Sequence, residues 1–276
     1  MYCVLPRNFV PVSTAIFALW IFAASPVHSA EALKPPTITA FVDAGGIYTS
    51  NRNVAQTNQE HEYLFSPEYG LRAAGTLVKE PGSALTYTLT ASINSSRADR
   101  FPDTSGETAN FEAALKYVRA DWTYGLSYNP TMDYGQWFDD YSGTSHVIAG
   151  AARTTITLSD GIKMTPVFGV ARREHTNPLA ERTRGSLKAV FEKDIFSKKA
   201  TLSLTPSVAF DAYDRSPVPS QRHDVSYGVS LGIDVPVNEQ MTWSLSVAYQ
   251  ERHSSVEGLD YNVMQVLPGL SANYQF

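Results

Sequence analysis

The sequence predicts an all-β chain: one antiparallel up-and-down sheet of about twelve strands, closed into a transmembrane β-barrel and preceded by a cleaved signal peptide. Three observations carry this prediction. Apolar and polar residues alternate with period two in twelve successive segments after Pro36. The connections between them alternate between short turns and longer loops. The chain ends on an amphipathic stretch whose last residue, Phe276, is aromatic.

The start of the chain is read separately. Arg7 precedes an apolar run from Val12 to Ala24, and Ser25-Pro26 then breaks it. That is the layout of a secretory signal peptide. Ser29 and Ala32 both satisfy the small-residue rule for cleavage, so residues 1–32 form the leader and 33–276 the barrel. An inner-membrane anchor would need a longer apolar run, and no later segment reaches the roughly 18 continuous apolar residues of a membrane helix. Cys3, the only cysteine, lies in the leader, so the mature chain offers no disulfide and no thiolate metal site. A net charge of −5 argues against nucleic acid as a partner.

The segments run in order about Thr37–Tyr48, Tyr63–Val78, Leu85–Ser96, Ala109–Val118, Trp122–Tyr134 and Ser145–Leu158. Then come Ile162–Glu174, Thr183–Asp194, Ala200–Tyr213, His223–Val235, Met241–Arg252 and Tyr261–Phe276. Turn residues separate them at Lys79-Glu80-Pro81-Gly82, Ser159-Asp160-Gly161 and Pro236-Val237-Asn238-Glu239. An even strand number puts both termini on the short-turn side. The third segment carries Thr86, Thr88, Thr90, Ser92 and Asn94 on one face and Leu85, Tyr87, Leu89, Ala91 and Ile93 on the other. Small hydroxyls suit a hydrated lumen, and the apolar face suits lipid, where closure satisfies every backbone group. A secreted β-sandwich is the rival fold. Aromatic placement argues against it. Tyr117, Trp122, Tyr124, Phe191, Trp243, Tyr274 and Phe276 fall near the short-turn ends. Tyr48, Phe65, Tyr128, Tyr134, Phe210, Tyr249 and Tyr261 fall near the long-loop ends, giving two girdles.

The terminal stretch Tyr261–Phe276 places Phe276, Tyr274, Ala272, Leu270, Pro268, Val266 and Met264 on its apolar face. It resembles the closing strand of bacterial outer-membrane β-barrel proteins, which ends in Phe with an aromatic two residues earlier. The resemblance implies that Tyr274 and Phe276 form the signal read by the outer-membrane assembly machinery. It implies a Gram-negative outer-membrane location, with outer-membrane lipid and lipopolysaccharide as surroundings.

Parity selects the lumen charges: Glu68, Arg72, Glu112, Lys116, Arg153, Lys163, Arg173, Arg184, Lys188 and Glu192 as lining or constriction candidates, with Asp43, Asp211, Asp224, Asp234 and Arg252 beside them. Their near balance of sign predicts a transverse field that orients small polar or zwitterionic solutes in a narrow channel. Narrow sugar-acid porins of similar strand number are lined by an excess of Arg. This chain lacks that excess, which argues against a strongly anionic solute. The competing expectation is that Glu68, Arg72, Glu112 and Lys116 pair across the lumen and plug it, leaving a non-conducting barrel with a structural, adhesion or assembly role.

No cofactor and no metal site is expected. His61, His146, His175, His223 and His253 fall at long-loop ends without a metal-ligand spacing. No catalytic residue is assigned. One constellation, Ser255, His253 and Asn262, resembles the Ser-His-Asn set of outer-membrane phospholipase A; it implies a nucleophile, base and orienting group, but the rest of that motif is missing. The loop Gly135-Gln136-Trp137-Phe138-Asp139-Asp140-Tyr141 is expected to join the outer girdle as a solvated turn. Its alternatives are a constriction folded into the lumen, a lipopolysaccharide contact through a divalent cation on Asp139 and Asp140, or a partner-binding tip.

Overall fold

A computed structural model describes residues 35–50, 62–99, 105–197, 199–217 and 221–276. The expected signal segment 1–32 and His61 lie outside them. The strands are β1 (Thr37–Thr49), β2 (Glu62–Glu80), β3 (Ser83–Ala98), β4 (Gly106–Arg119), β5 (Trp122–Tyr134), β6 (Tyr141–Thr154), β7 (Lys163–His175), β8 (Arg182–Ile195), β9 (Ala200–Tyr213), β10 (His223–Pro236), β11 (Met241–Ser254) and β12 (Tyr261–Gln275). Ile156–Thr157 extends β6 past a break and pairs with β7. Each strand pairs antiparallel with its sequence neighbours, and β1 pairs with β12. The sheet therefore has no free edge, and twelve segments of alternating sequence become one closed barrel.

Register fixes which face each residue takes. Asp43 lies opposite Glu68, Thr90 opposite Glu112, and Thr86 opposite Lys116. These polar residues share the interior face. The other parity carries Val42, Leu71, Tyr69, Leu89, Phe168, Val170, Leu187, Tyr227 and Leu231, all exposed. A protein with its large apolar side chains outside and its hydroxyls inside is stable in lipid rather than in water.

Short turns close one end. Pro81 and Gly82 form the β2–β3 turn, where Gly82 has φ +80 and Pro presets the preceding position. The β4–β5 turn forces Ala120 to φ +50, a left-handed conformation that costs a residue with a Cβ about 1–2 kcal/mol.

Apart from Pro236 at the end of β10, five prolines stand within strands: Pro67, Pro130, Pro166, Pro206 and Pro268. All five take the lipid-facing parity. Proline has no N–H for the ladder. Pairing is accordingly interrupted beside them, between Phe65 and Glu68, between Tyr128 and Thr131, between Leu204 and Ser207, and between Val266 and Gly269. The β6–β7 ladder stops at Val167, next to Pro166.

At the seam, the Phe276 N–H donates to the Ile38 carbonyl at 2.9 Å. The Tyr274 and Phe276 rings meet edge to face at 5.0 Å, and Phe276 is 74% exposed. The stretch identified from the terminus is thus the closing strand.

Candidate functional site

The lumen is the candidate functional surface that this fold creates. One of its walls is built from small residues. Ser203, Ser207, Ser226, Gly228, Ser230, Gly232, Ser244, Ser246 and Gly269 share the inner face of β9–β12. The glycines make room for neighbouring hydroxyls: a Cβ on Gly228, Gly232 or Gly269 would sit 2.9, 2.8 or 2.7 Å from Oγ of Ser207, Ser203 or Ser244. Beside this wall lies a cavity of about 440 Å³, which Gly45, Ser66, Ser203, Gly232, Ser244 and Gly269 line.

The other walls are charged. A second cavity, of about 500 Å³, lies toward the short-turn end between β5 and β8. Thr123, Arg153, Thr165, Val167, Lys188 and Glu192 line it. Lys163 lies directly opposite Glu192 across β7–β8. Glu68, Arg72, Glu112 and Lys116 occupy neighbouring rows of β2–β4. Among the described residues none of these four makes an ion pair. Glu68 instead accepts the Ser92 hydroxyl at 2.6 Å, and Arg72 lies 5.1 Å over the Phe41 ring. Phe41 is buried against Gly70, where a Cβ would approach its ring to 2.8 Å. The expected plug of cross-paired charges is not formed by this quartet.

Toward the long-loop end the interior carries a network of arginines. Asp211 and Asp224 lie opposite each other on β9 and β10, and both are 0% exposed. Arg184 grips Asp211 with both arms of its fork, Nε at 2.8 Å and a terminal nitrogen at 2.7 Å. Arg182 approaches the same carboxylate at 3.2 Å. Arg222 grips Asp224 at 3.0 and 2.5 Å, the Ser254 hydroxyl donates to it at 2.6 Å, and Arg252 stands at 3.5 Å. The Tyr213 ring lies under Arg222 at 4.0 Å and Arg182 at 5.7 Å, and the Tyr261 ring under Arg252 at 4.2 Å. Such contacts hold cations over the negative ring face. Arg252 also donates to the Leu259 carbonyl at 3.2 Å, drawing the β11–β12 loop toward the mouth.

This network corrects one expectation. Tyr261 shares the interior parity and carries Arg252, so it is not part of the outer girdle. The other girdle assignments fit the outward parity of their strands. Arg182 and Arg222 are lumen residues that alternation misses: the eighth segment starts one residue too late, and Arg222 precedes its strand. Their placement beside Tyr213 has no local sequence signal.

The loop after β5 turns outward. Tyr134 meets Phe138 at 5.2 Å and Tyr141 at 5.8 Å. Trp137, 74% exposed, stacks on Arg97 at 4.8 Å. Arg97 pairs with the buried Glu107, which also accepts the Phe138 N–H at 3.3 Å. Asp139 and Asp140 remain exposed. The loop thus extends the outer girdle, and the lumen-constriction alternative does not hold.

His146, His223 and His253 also face outward, ringed by Tyr128, Phe210 and Tyr227. His253 lies 3.1 Å from Glu251 and 3.9 Å from Asp260. Ser255 Oγ accepts the His223 N–H at 2.9 Å and reaches the Gln221 carbonyl at 3.3 Å. The hydroxyl of the lipase-like set is therefore engaged with backbone rather than with His253.

No protein-family model matches the chain, and no curated protein sequence matches it. Solved structures do. A bacterial polysaccharide outer membrane secretin aligns with a TM-score of 0.52 at 10% identity, over 85% of this chain and 98% of that one. An outer membrane channel from Pseudomonas putida F1 aligns with a TM-score of 0.52 at 11% identity, over 91% of this chain and 100% of that one. At these identities the likeness is one of fold. With its apolar outer belt, polar interior and sealed seam, the chain is a closed twelve-stranded antiparallel β-barrel of the Gram-negative outer-membrane type.

Proposed function

We propose that the barrel is a narrow channel that passes small polar solutes across the outer membrane. The observation that carries the reading is the lumen itself. Hydroxyls and glycines line one wall, and the four charges best placed to plug it do not pair among themselves. The fold of the Pseudomonas putida F1 channel supports the reading as a likeness of architecture.

The charge is arranged across the pore. Strands β6–β8 present Arg153, Lys163, Arg173, Arg182, Arg184 and Lys188 to the interior, partly offset by Glu192. Strands β1–β5 present Asp43, Glu68, Glu112 and Asp133, partly offset by Arg72 and Lys116. In a closed ring of twelve strands β1 stands opposite β7. A solute with a positive and a negative end is therefore turned crosswise as it enters.

A non-conducting barrel is the second reading, favoured by the Arg–Asp network and the loop that Arg252 holds at the mouth. Planar-bilayer recording separates the two. The channel gives discrete current steps after insertion of the refolded barrel. Silence at every voltage sinks it and leaves the structural role. Separate fractionation tests the location: the mature protein is expected in outer-membrane fractions, and recovery as soluble periplasmic material would refute it.

A further inference from the structure

Across β7–β8, Arg173 lies directly opposite Arg182 on the inner face of the barrel. Like charges directly opposed across two strands destabilise the pair. The surroundings offset them only in part: Asp133 acts on Arg173 from a distance, with no ion pair to it among the described residues. Asp211 is the carboxylate that Arg182 approaches, at 3.2 Å, yet the Arg184 fork already occupies both of its oxygens. Arg173 makes no ion pair among the described residues, and its Nε donates to the neutral Ser145 hydroxyl at 3.0 Å. Two guanidiniums, Arg182 and Arg184, thus share one saturated carboxylate, and Arg173 stands opposite Arg182 with no ion pair of its own among the described residues. Tyr213 holds Arg182 from below, so that side chain is positioned rather than free. The near balance of the whole lumen conceals a local surplus of positive charge beside the outer mouth.

We propose that Arg173 and Arg182 form a binding subsite for a solute-borne oxyanion, a carboxylate or phosphate whose oxygens bridge the two guanidiniums. Planar forks suit such oxygens, because parallel N–H donors match their spacing. The subsite deepens the channel reading, on which it rests for the route by which solute arrives. It gives the negative end of a polar solute a fixed place on the basic wall, facing the acidic strands across the pore.

Inorganic phosphate and succinate serve as probes. Each is titrated calorimetrically into the refolded mature barrel in a maltoside detergent. The wild type shows saturable binding, and Arg173→Gln and Arg182→Gln each weaken it at least tenfold. Lys79→Gln, at the β2–β3 turn on the other end, binds as the wild type does. A second readout follows from the repulsion: without anion, Arg173→Gln unfolds at a higher temperature than the wild type, and phosphate raises the wild-type midpoint alone. If Arg173→Gln does not reach the folded gel band, Arg173→Lys keeps the charge, loses the fork and still shows the weakened binding. No saturable heat from either anion, or equal binding by the variants, overturns the subsite. Purified lipopolysaccharide that displaces phosphate would overturn the solute as its source and assign the anion to a lipid headgroup. Binding without conductance would sink the channel and keep the subsite; conductance without binding would do the reverse.

Discussion

Asp211 and Asp224 stand side by side, fully enclosed, at the outer end of the lumen. Two adjacent carboxylates are tolerated there because Arg182, Arg184, Arg222 and Arg252 surround them. Removing one acid leaves its arginines unmatched. Asp224→Ala is expected to lower stability by about 3 kcal/mol, the scale for breaking a buried ion pair from one side. Chemical unfolding of the refolded barrel, followed by the folded gel band, measures it; a change below 1 kcal/mol would show that lumen water already screens the network. Another paired acid lies just outside the strands. The hydrogen bond from Arg172, 2.7 Å long, holds the Asp214 carboxyl below its ordinary value. A depressed carboxyl stabilises the folded state above the ordinary Asp pKa of about 3.9 and stops doing so as pH falls through the lower folded value. Residues 214–217 after β9 are therefore expected to loosen in acid below that value. Pepsin cleavage near Asp214 at pH 2, but not at pH 5, would show it; Asp214→Asn should be cleaved at both.

Turns and ladders set the behaviour of whole elements. Ala120 is held at φ +50 in the β4–β5 turn without the freedom of glycine. Ala120→Gly relieves that strain and is expected to raise stability by about 1 kcal/mol, read from the unfolding midpoint. A lower midpoint would mean that the added unfolded-state entropy of glycine dominates. The alternation that places every strand is legible because it is local: side chains change face at each residue whatever the rest of the chain does. Twelve segments and their inward charges, from Glu68 to Glu192, follow from that one rule. The ends of the elements do not. Arg182 opens β8 one residue ahead of the first alternating position, and Arg222 lies before β10. Their partners, Asp211, Asp224 and Tyr213, come from other strands. The direction of the Gly135–Tyr141 loop likewise depends on Arg97 and Glu107 on β3 and β4. Tyr261 looks like a girdle residue until Arg252 is found over its ring. Contacts between elements decide these features, and no periodicity within one element encodes them.

At the scale of the whole molecule, a closed sheet divides lipid from lumen and the charge within it divides one wall from the other. The conductance expected of such a pore depends on the basic wall. Arg153→Glu and Lys188→Glu together, beside the 500 Å³ cavity, should shift the reversal potential in a salt gradient toward cation preference. An unmoved reversal potential would mean that ions do not pass this wall. Deleting Phe276 should reduce the assembled protein without changing the unit conductance of barrels that do form; an unchanged yield would remove its role in assembly.

The seam between β1 and β12 has a further consequence. It joins Thr39 to Gln275, residues 236 positions apart (275 − 39), while every other strand pair is a sequential hairpin. Hairpins close short loops and can form one after another. The seam must close a loop spanning nearly the whole chain, and the entropic cost of closure grows only with the logarithm of its length. The slow event in folding is then the last one, and it requires β12 to be present. A nascent barrel that lacks β12 exposes two unpaired edges at once, so folding in the membrane should be all-or-none in chain length. Truncations that stop before Tyr261 should yield no closed barrel, rather than a slightly smaller one.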